Sequence, residues 1–469
     1  MRKITNYFSI ILFLVLAGCR VSKDIAVPGA PLPDAYRGAN TTDTAGIAGL
    51  QWKTFFTDTN LQTLIDSAIV NNYDMQTAVK NIEAAQLVFK QSKLGYLPEA
   101  KLQATGAINR PSDNSLNGLS LSQFLGRPYV EDYTLGAVLN WEADIWGKIR
   151  NQKAKALAAY LQTAEARRML QTNLVAYVAK GYYNLLMLDA QVAVARKNLL
   201  LNDSTLRIIE LQFNAGQVTG LGIQQAAAQR LVAAQLVPRL EQAILLQENA
   251  LSVLTGVLPA AISRSGRIND VPVNDDNSTG IPAALLQNRP DVKARELDIA
   301  IANANTGIAR ANMYPSLSIT AAGGINAFKA SNWFNLPASL FATAAGNIAQ
   351  PLFQKKQLRT QYELAKIERE KAVIQFRQTV LTAVGEVSDA LARANKLKEQ
   401  QEIAIVRVVT LQKVIGNADL LFKNGMASYL EVIIAQSNVL QAELEQAVLK
   451  KEQLDAIADL YRSLGGGWK

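Results

Sequence analysis

Almost nothing in this sequence is equipped for covalent chemistry. Its 469 residues include no histidine and one cysteine, Cys19. That excludes a histidine-based triad or proton relay, a zinc site built on histidine, and any disulfide framework. No phosphate loop, metal-ligand spacing or nucleophile–base pairing appears, and isolated Ser-x-x-Lys-like spacings are ordinary in helices. The sequence therefore reads as no enzyme, with no cofactor and no metal. The one group left with chemistry of its own is the Cys19 thiol.

The residues around Cys19 form a recognisable pattern. Arg2 and Lys3 form a charged start, Ile10 to Leu16 an unbroken apolar run, and Leu16-Ala17-Gly18-Cys19 a small-residue cleavage site. Residues 1–18 thus read as an export signal, too short to span a bilayer as a helix. The ending resembles a bacterial lipobox. That implies that Cys19 carries acyl chains such as palmitate and becomes the mature N-terminus. Residue 20 is Arg rather than Asp, which resembles lipoproteins sent on to the outer membrane. Acyl chains tether a protein to lipid without spanning it. Residues 19–50, rich in Pro, Gly, Ala and Asp, read as a lipidated, extended leader.

The formal charge of +9 falls to +7 once Arg2 and Lys3 leave with the signal. Lysines and arginines are mixed with acids, as in Lys366-Ile367-Glu368-Arg369-Glu370-Lys371. Such mixing marks a solvated helix face, and no nucleic-acid partner is expected.

Two proline-free stretches organise the body, Arg150 to Phe213 and Arg359 to Phe422. In the first, Leu185, Val192, Leu199, Leu206 and Phe213 recur every seven residues, with Leu188, Ala195 and Ile209 interleaved and Asn202 interrupting. In the second, Leu397, Ala404, Val408, Leu411, Ile415, Ala418 and Phe422 form a similar seam, interrupted by Gln401. The alternating 3–4 spacing predicts two long helices of coiled-coil type. Glycine turns at Gly216 and Gly425 end them, and return helices follow over about 221–254 and 429–464.

Ahead of each long helix the period shifts to two. Leu102, Ala104, Gly106 and Ile108 alternate with polar residues, as do Tyr133, Leu135, Ala137, Leu139 and Trp141, with Val138 the exception. Leu317, Ile319, Ala321 and Ile325 repeat the pattern, and a partner strand near 338–348 is blurred by alanine. The loops at 110–127 and 328–336 read as polar or glycine-containing connections. Each half therefore carries one hairpin of the kind that crosses an outer membrane, apolar outward and polar inward, with aromatic residues for girdles. Lipid cannot satisfy an open strand edge. Four strands per chain are too few to close alone, so copies must associate; three would give twelve strands.

The chain is internally duplicated. Asp74 and Pro98 match Asp291 and Pro315 at an offset of 217 residues; Arg150, Phe213, Gly216 and Gly256 match Arg359, Phe422, Gly425 and Gly465 at 209. The first hairpin is thus eight residues longer. The predicted division is a first repeat over 51–256, a connector over 257–280 partway along the helical rods, and a second repeat over 281–469.

Several segments, in order, resemble the TolC-type outer-membrane channels of tripartite efflux pumps, specifically their lipoprotein branch. These are Trp52 with Phe55-Phe56 and Leu61, Leu285-Leu286-Gln287-Asn288-Arg289-Pro290-Asp291-Val292, and Gln350-Pro351-Leu352-Phe353. Phe422-Lys423-Asn424-Gly425 with Tyr429-Leu430-Glu431-Val432, and Leu464-Gly465-Gly466-Gly467-Trp468, complete the set. The resemblance implies a homotrimer with a twelve-stranded transmembrane β-barrel continuous with a long periplasmic α-helical barrel. It implies a passive conduit that expels small toxic compounds, drugs among them. It further implies docking of a periplasmic adaptor (membrane fusion) protein and an inner-membrane RND-type transporter. The tips Gly216-Gln217-Val218-Thr219 and Gly425-Met426-Ala427-Ser428 match adaptor-contact positions. Glu431 matches an acid lining the periplasmic gate, while the place of a second acid holds Ile434. Glu431 also suits an ordinary helix-start acid. The same fold serving protein secretion, or a coiled-coil lipoprotein that braces the envelope without transport, are the alternatives.

Overall fold

A computed structural model describes residues 32–33, 35–37, 46–264, 266–273, 279–280 and 282–469. The export signal, Cys19, and the Asn274-Asp275-Asp276-Asn277 stretch of the connector lie outside the described residues. The principal elements are helices α1 (Thr59–Asn71) and α2 (Tyr73–Lys93), strand β1 (Glu99–Asn109), α3 (Leu116–Leu125) and β2 (Val130–Glu142). They continue with α4 (Lys148–Asn214), α5 (Gly220–Leu254), α6 (Pro290–Ala311), β3 (Ser316–Ala327), β4 (Leu340–Ala349), α7 (Gln357–Lys423) and α8 (Tyr429–Ser463). Both α4 and α7 contain 67 residues, about 100 Å of continuous helix. Their starts and ends differ by the same 209 residues, as do those of α5 and α8. The element order is thus written twice.

The described chain divides into two compact units. One holds residues 83–161 and 296–374, the other residues 46–82, 162–295 and 375–469 together with the described leader residues.

The first unit is built on a four-stranded antiparallel sheet in the order β1-β2-β3-β4. The two hairpins are joined by pairing β2 to β3, with Asn140 opposite Thr320 and Thr134 opposite Asn326. Side chains of opposed residues share a face, so the register sorts the residues. One face carries Glu99, Gln103, Thr105, Asp132, Thr134, Asn140, Ser318, Thr320 and Asn326. It is cross-linked by Thr320 Oγ1 donating to Asn140 Oδ1 (3.0 Å) and by the Asn326 amide donating to Thr134 Oγ1 (2.8 Å) and to Asp132. The other face carries Leu102, Ile108, Leu135, Leu139, Ile319, Ile325, Leu340 and Ile348. Leu102 is 88% exposed and Ile348 73% exposed, so among the described residues much of this apolar face is bare. Such a sided sheet is the arrangement a membrane strand requires.

The loop after β1 departs from the expected irregular connection. It contains α3, started by Ser115, whose hydroxyl accepts from Gly118 N (3.1 Å), and stopped by Gly126 at φ +59°. The additional length of the first hairpin accommodates this helix. The corresponding loop in the second half has only one short turn, Ala330–Asn332.

Just before α4, Gly147 sits at φ +76°; its counterpart before α7 is Lys356, at φ +61°. A side chain pays for that left-handed conformation where glycine does not. Lys356→Gly is expected to stabilise the chain by about 1 kcal/mol, read as a higher urea midpoint at unchanged slope.

In the second unit the seam of α4 is closed, with Leu185, Ala195 and Ile209 fully buried and Leu188 and Val192 nearly so. Leu188, Val192, Ala195 and Leu240 form one cluster between α4 and α5. Asn202 is buried in the seam and donates to Asn198 O and Oδ1 (2.8 and 2.9 Å), which satisfies the polar interruption locally. The connector joins this unit: Ile268 is fully buried, and Val273 packs on the cluster of Ala394, Leu397, Ala456 and Ile457.

Candidate functional site

The two helix turns at the ends of α4 and α7 are built by identical chemistry. In the first, Gly216 N donates to Phe213 O (2.8 Å) and Gln217 N to Gln212 O (2.8 Å). In the second, Gly425 N donates to Phe422 O (3.0 Å) and Met426 N to Leu421 O (2.8 Å). This paired bonding satisfies the last carbonyls of a helix and needs a left-handed residue, supplied by Gly216 at φ +75° and Gly425 at φ +71°. In each turn the third residue, Val218 or Ala427, is turned inward. Gln217 and Thr219, and Met426 and Ser428, face solvent.

The structure brings the two turns together. Ile209, Ala226, Phe422 and Val432 form a buried cluster, and Val218, Ala427 and Tyr429 pack against it. All eight predicted tip residues therefore lie around one apolar knot contributed by α4, α5, α7 and α8. Phe213 was expected in the seam like Phe422, yet it is 44% exposed while Phe422 is 4% exposed.

Sequence reasoning placed Tyr429 in a family-like segment but gave it no contact. Its hydroxyl donates to Gln225 Oε1 (2.7 Å), tying α8 to α5 across 204 residues of chain. The ring lies against Gly222, where a Cβ would come within 3.2 Å of it. The only signal was a pair of glycines, Gly220 and Gly222, in the first turn of a helix.

Glu431 sits in the first turn of α8. Its Oε2 accepts from Ser428 N (2.9 Å) and forms a capping box with the Ser428 hydroxyl. The carboxylate is exposed, and Leu430 and Ile434 beside it are each about half exposed. The same position in the first turn is Gly222, so α5 carries no counterpart of this acid.

Farther from the tips, ionic contacts accompany the apolar seam. Arg264 of the connector forks onto Asp189 of α4 and also reaches Glu248 of α5 (2.5 Å). Lys180 of α4 bonds both oxygens of Asp459 of α8 (3.1 and 2.9 Å). The Arg289-Pro290-Asp291 segment starts α6. The Arg289 guanidinium holds Asp291 through two bonds (3.0 and 2.6 Å), Glu386 of α7 (2.8 Å), and the Ser463 carbonyl at the end of α8 (3.0 Å). That segment is a structural junction rather than a reactive one.

A sheet polar on one face and bare and apolar on the other, in the same chain as two very long helices closed by matched turns, defines a membrane channel subunit. Comparison with known proteins agrees. Residues 64–257 and 281–466 match the family described as outer membrane efflux protein. The chain is 30% identical over 488 residues to the toluene efflux pump outer membrane protein TtgF of Pseudomonas putida, covering 99% of this chain and 97% of the relative. It is 27% identical to the cation efflux system protein CusC of Escherichia coli, covering 97% of each. A crystal structure of a membrane protein from Pseudomonas aeruginosa superposes with a TM-score of 0.86 at 27% identity, covering 95% of this chain and all of that one.

The chain belongs to the outer membrane efflux protein family. It is an outer-membrane efflux channel with the TolC-like fold of a helical barrel and β-strands, and not an enzyme.

Proposed function

We propose that three copies close their sheets into one twelve-stranded barrel, and that each is tethered at Cys19 through its acyl chains. In this reading, residues 51–256 and 281–469 are two repeats around an equatorial connector at 257–280, and the helices line a periplasmic tunnel. A periplasmic adaptor protein contacts the tips, Gln217, Thr219, Met426 and Ser428 among them, and an inner-membrane RND-type transporter loads the conduit. The cargo is small toxic compounds, with apolar solvents and drugs first, since the relatives include a toluene pump.

The observation that carries this reading is the sided sheet, whose outer edges on β1 and β4 are unpaired among the described residues. Hydrocarbon leaves no other way to satisfy those edges than pairing with another copy. Deleting the gene should raise accumulation of apolar toxic compounds, and re-expression should lower it. Unchanged accumulation across a broad panel would count against the assignment. Conductance of the purified channel in planar bilayers tests the conduit itself.

Glu431 is assigned to the aperture as a single acidic ring, one carboxylate per copy. Because it also caps α8, two substitutions separate its roles. Glu431→Gln keeps a capping side chain and removes the charge. It is expected to reduce cation-over-anion permeability severalfold at unchanged stability. Glu431→Ala should show the same loss of selectivity and also cost about 1 kcal/mol from the broken cap. Unaltered ion selectivity in the glutamine variant would remove Glu431 from the aperture.

A further inference from the structure

The sorting of side chains on the sheet has an aromatic exception. Register places Gln103, Gly136, Gly324 and Phe341 in one row across the four strands. That row belongs to the face carrying Thr134, Asn140, Thr320 and Asn326. A phenyl ring therefore stands on the polar face. Contact geometry agrees, because a Cβ on Gly136, two strands away, would lie 3.3 Å from Phe341 Cζ. The ring reaches from β4 across Gly324 to β2. Among the residues of β4, Phe341 alone is partly covered.

The backbone fixes the glycines under the ring. A Cβ on Gly324 would come within 2.2 Å of Leu135 O, and one on Gly136 within 2.8 Å of Gly323 O. The next row on this face sets Val138 opposite Ala322. Together with Phe341 and the two glycines they form an apolar island in a mainly polar face. On the island's other side Thr134 opposes Asn326, whose amide donates to Asp132. Asp132 is exposed, and the Asn326 amide that it accepts from is neutral. The duplication sets this acid and the ring at matching places. Shifts of 217 residues for the first strands and 209 for the second carry the pair Ala107–Asp132 onto Gly324–Phe341. The two hairpins thus present a carboxylate and a phenyl ring at the same position.

We propose that Phe341 and Asp132 form a contact station for aromatic organic cations in transit, with three rings and three carboxylates alternating around the assembled barrel. The station rests on the reading of the polar face as the lumen of a conduit. The face of a phenyl ring attracts a cation, and its area holds the apolar part of the same molecule. The carboxylate favours cations and disfavours anions. Lumen-facing residues are the ones that tune selectivity in membrane barrels. A ring over glycines also stabilises a sheet by shielding bare backbone, and a current measurement tells that role from contact with cargo.

The full-length protein is reconstituted in planar bilayers in potassium chloride, and methylene blue, a planar aromatic cation, is titrated against the ionic current. Tetramethylammonium (a cation without a ring) and naphthalenesulfonate (a ring with negative charge) are the controls. Phe341→Ala is expected to raise the half-blocking concentration of methylene blue about tenfold, with tetramethylammonium unaffected. Asp132→Asn should raise it severalfold, and naphthalenesulfonate should block the native channel more weakly than methylene blue. Phe341→Trp should keep the native value, and so should Leu340→Ala, its neighbour on the apolar face. Phe341→Leu shields the glycines without an aromatic face; it should behave as Phe341→Ala does, and it decides the matter if the alanine variant forms no channel. An unchanged half-blocking concentration in an open Phe341→Leu channel, or no block of the native one, would overturn the station and leave the conduit intact. Unchanged block in Asp132→Asn would strike the carboxylate from it. An effect at Leu340 in place of Phe341 would show that the polar face is not the lumen. Native protein that passes no current would remove the conduit reading as well.

Discussion

Gly465→Ala is expected to destabilise the folded chain by about 2–5 kcal/mol, and Gly256→Ala by a similar amount. The two glycines terminate α8 and α5 in the same way. Gly465 N donates to Arg462 O (2.9 Å), and Gly256 N to Val253 O (3.1 Å). They sit at φ +90° and φ +72°, where a side chain costs about 1–2 kcal/mol from backbone sterics alone. Space is the larger obstacle. A Cβ on Gly465 would lie 2.5 Å from the Asn288 carbonyl oxygen, and one on Gly256 would lie 2.3 Å from that of Asn71. Both neighbours are backbone and cannot rotate away. Asn71 and Asn288 are themselves repeat equivalents, so each half needs its glycine for the same reason. The same substitution at Gly385 or Gly416 inside α7 serves as the control. A Cβ there meets nothing within 4 Å, and alanine is the better helix former, so each should gain about 0.5–1 kcal/mol. Urea unfolding followed by helical circular dichroism separates the two signs. Equal effects at Gly465 and Gly416 would show that close approach to Asn288 is not what selects glycine.

That contrast also shows what the sequence discloses and what it withholds. The long helices were legible because an apolar residue every three or four positions leaves few alternatives over sixty residues. The sheet's sidedness was legible wherever polar and apolar residues alternated cleanly. It faded in β4, where Ala342, Ala344 and Ala345 give no contrast between faces and the pairing partner supplies the register. Helix α3 was hidden in a loop because its signals are a single capping serine and a single stop glycine around a short segment. At the tips, Gly216 and Gly425 announced the turns. The Tyr429–Gln225 bond did not show, because contacts between elements distant in sequence leave no periodic trace. Glu431 illustrates a different limit: an acid in a first turn suits a cap and an aperture equally, and its observed bond to Ser428 N accounts for the cap.

The second large effect is expected at Arg289. Its side chain is only 7% exposed, and it gathers two carboxylates and a helix-terminal carbonyl around one guanidinium. Arg289→Met keeps most of the volume and removes every donor, leaving Asp291, Glu386 and Ser463 O without that partner. Breaking a buried ion pair from one side costs about 3–5 kcal/mol, and a loss of that size is expected at neutral pH. Arg289→Lys should recover only part of it, since an ammonium cannot fork across both oxygens of Asp291. The pH profile identifies the cause. Burial pushes the Asp291 carboxyl upward, but the hydrogen bonds and charge of Arg289 more than offset this and hold it below its ordinary value. A carboxylate depressed in the folded state stabilises the fold above its unfolded pKa, about 3.9, and that contribution disappears as the pH falls through the folded value. The native chain should therefore be insensitive to Asp291 between pH 7 and 5 and lose stability below about pH 4. In Arg289→Met the depressing partner is gone and burial remains, so the carboxyl titrates above its ordinary value. Folding then takes up a proton, and the variant should become more stable, not less, as pH is lowered from 7 toward 5. Urea midpoints at pH 7, 6 and 5 for both chains measure this directly. Parallel profiles would mean that Arg289 holds the junction through packing rather than through its charge.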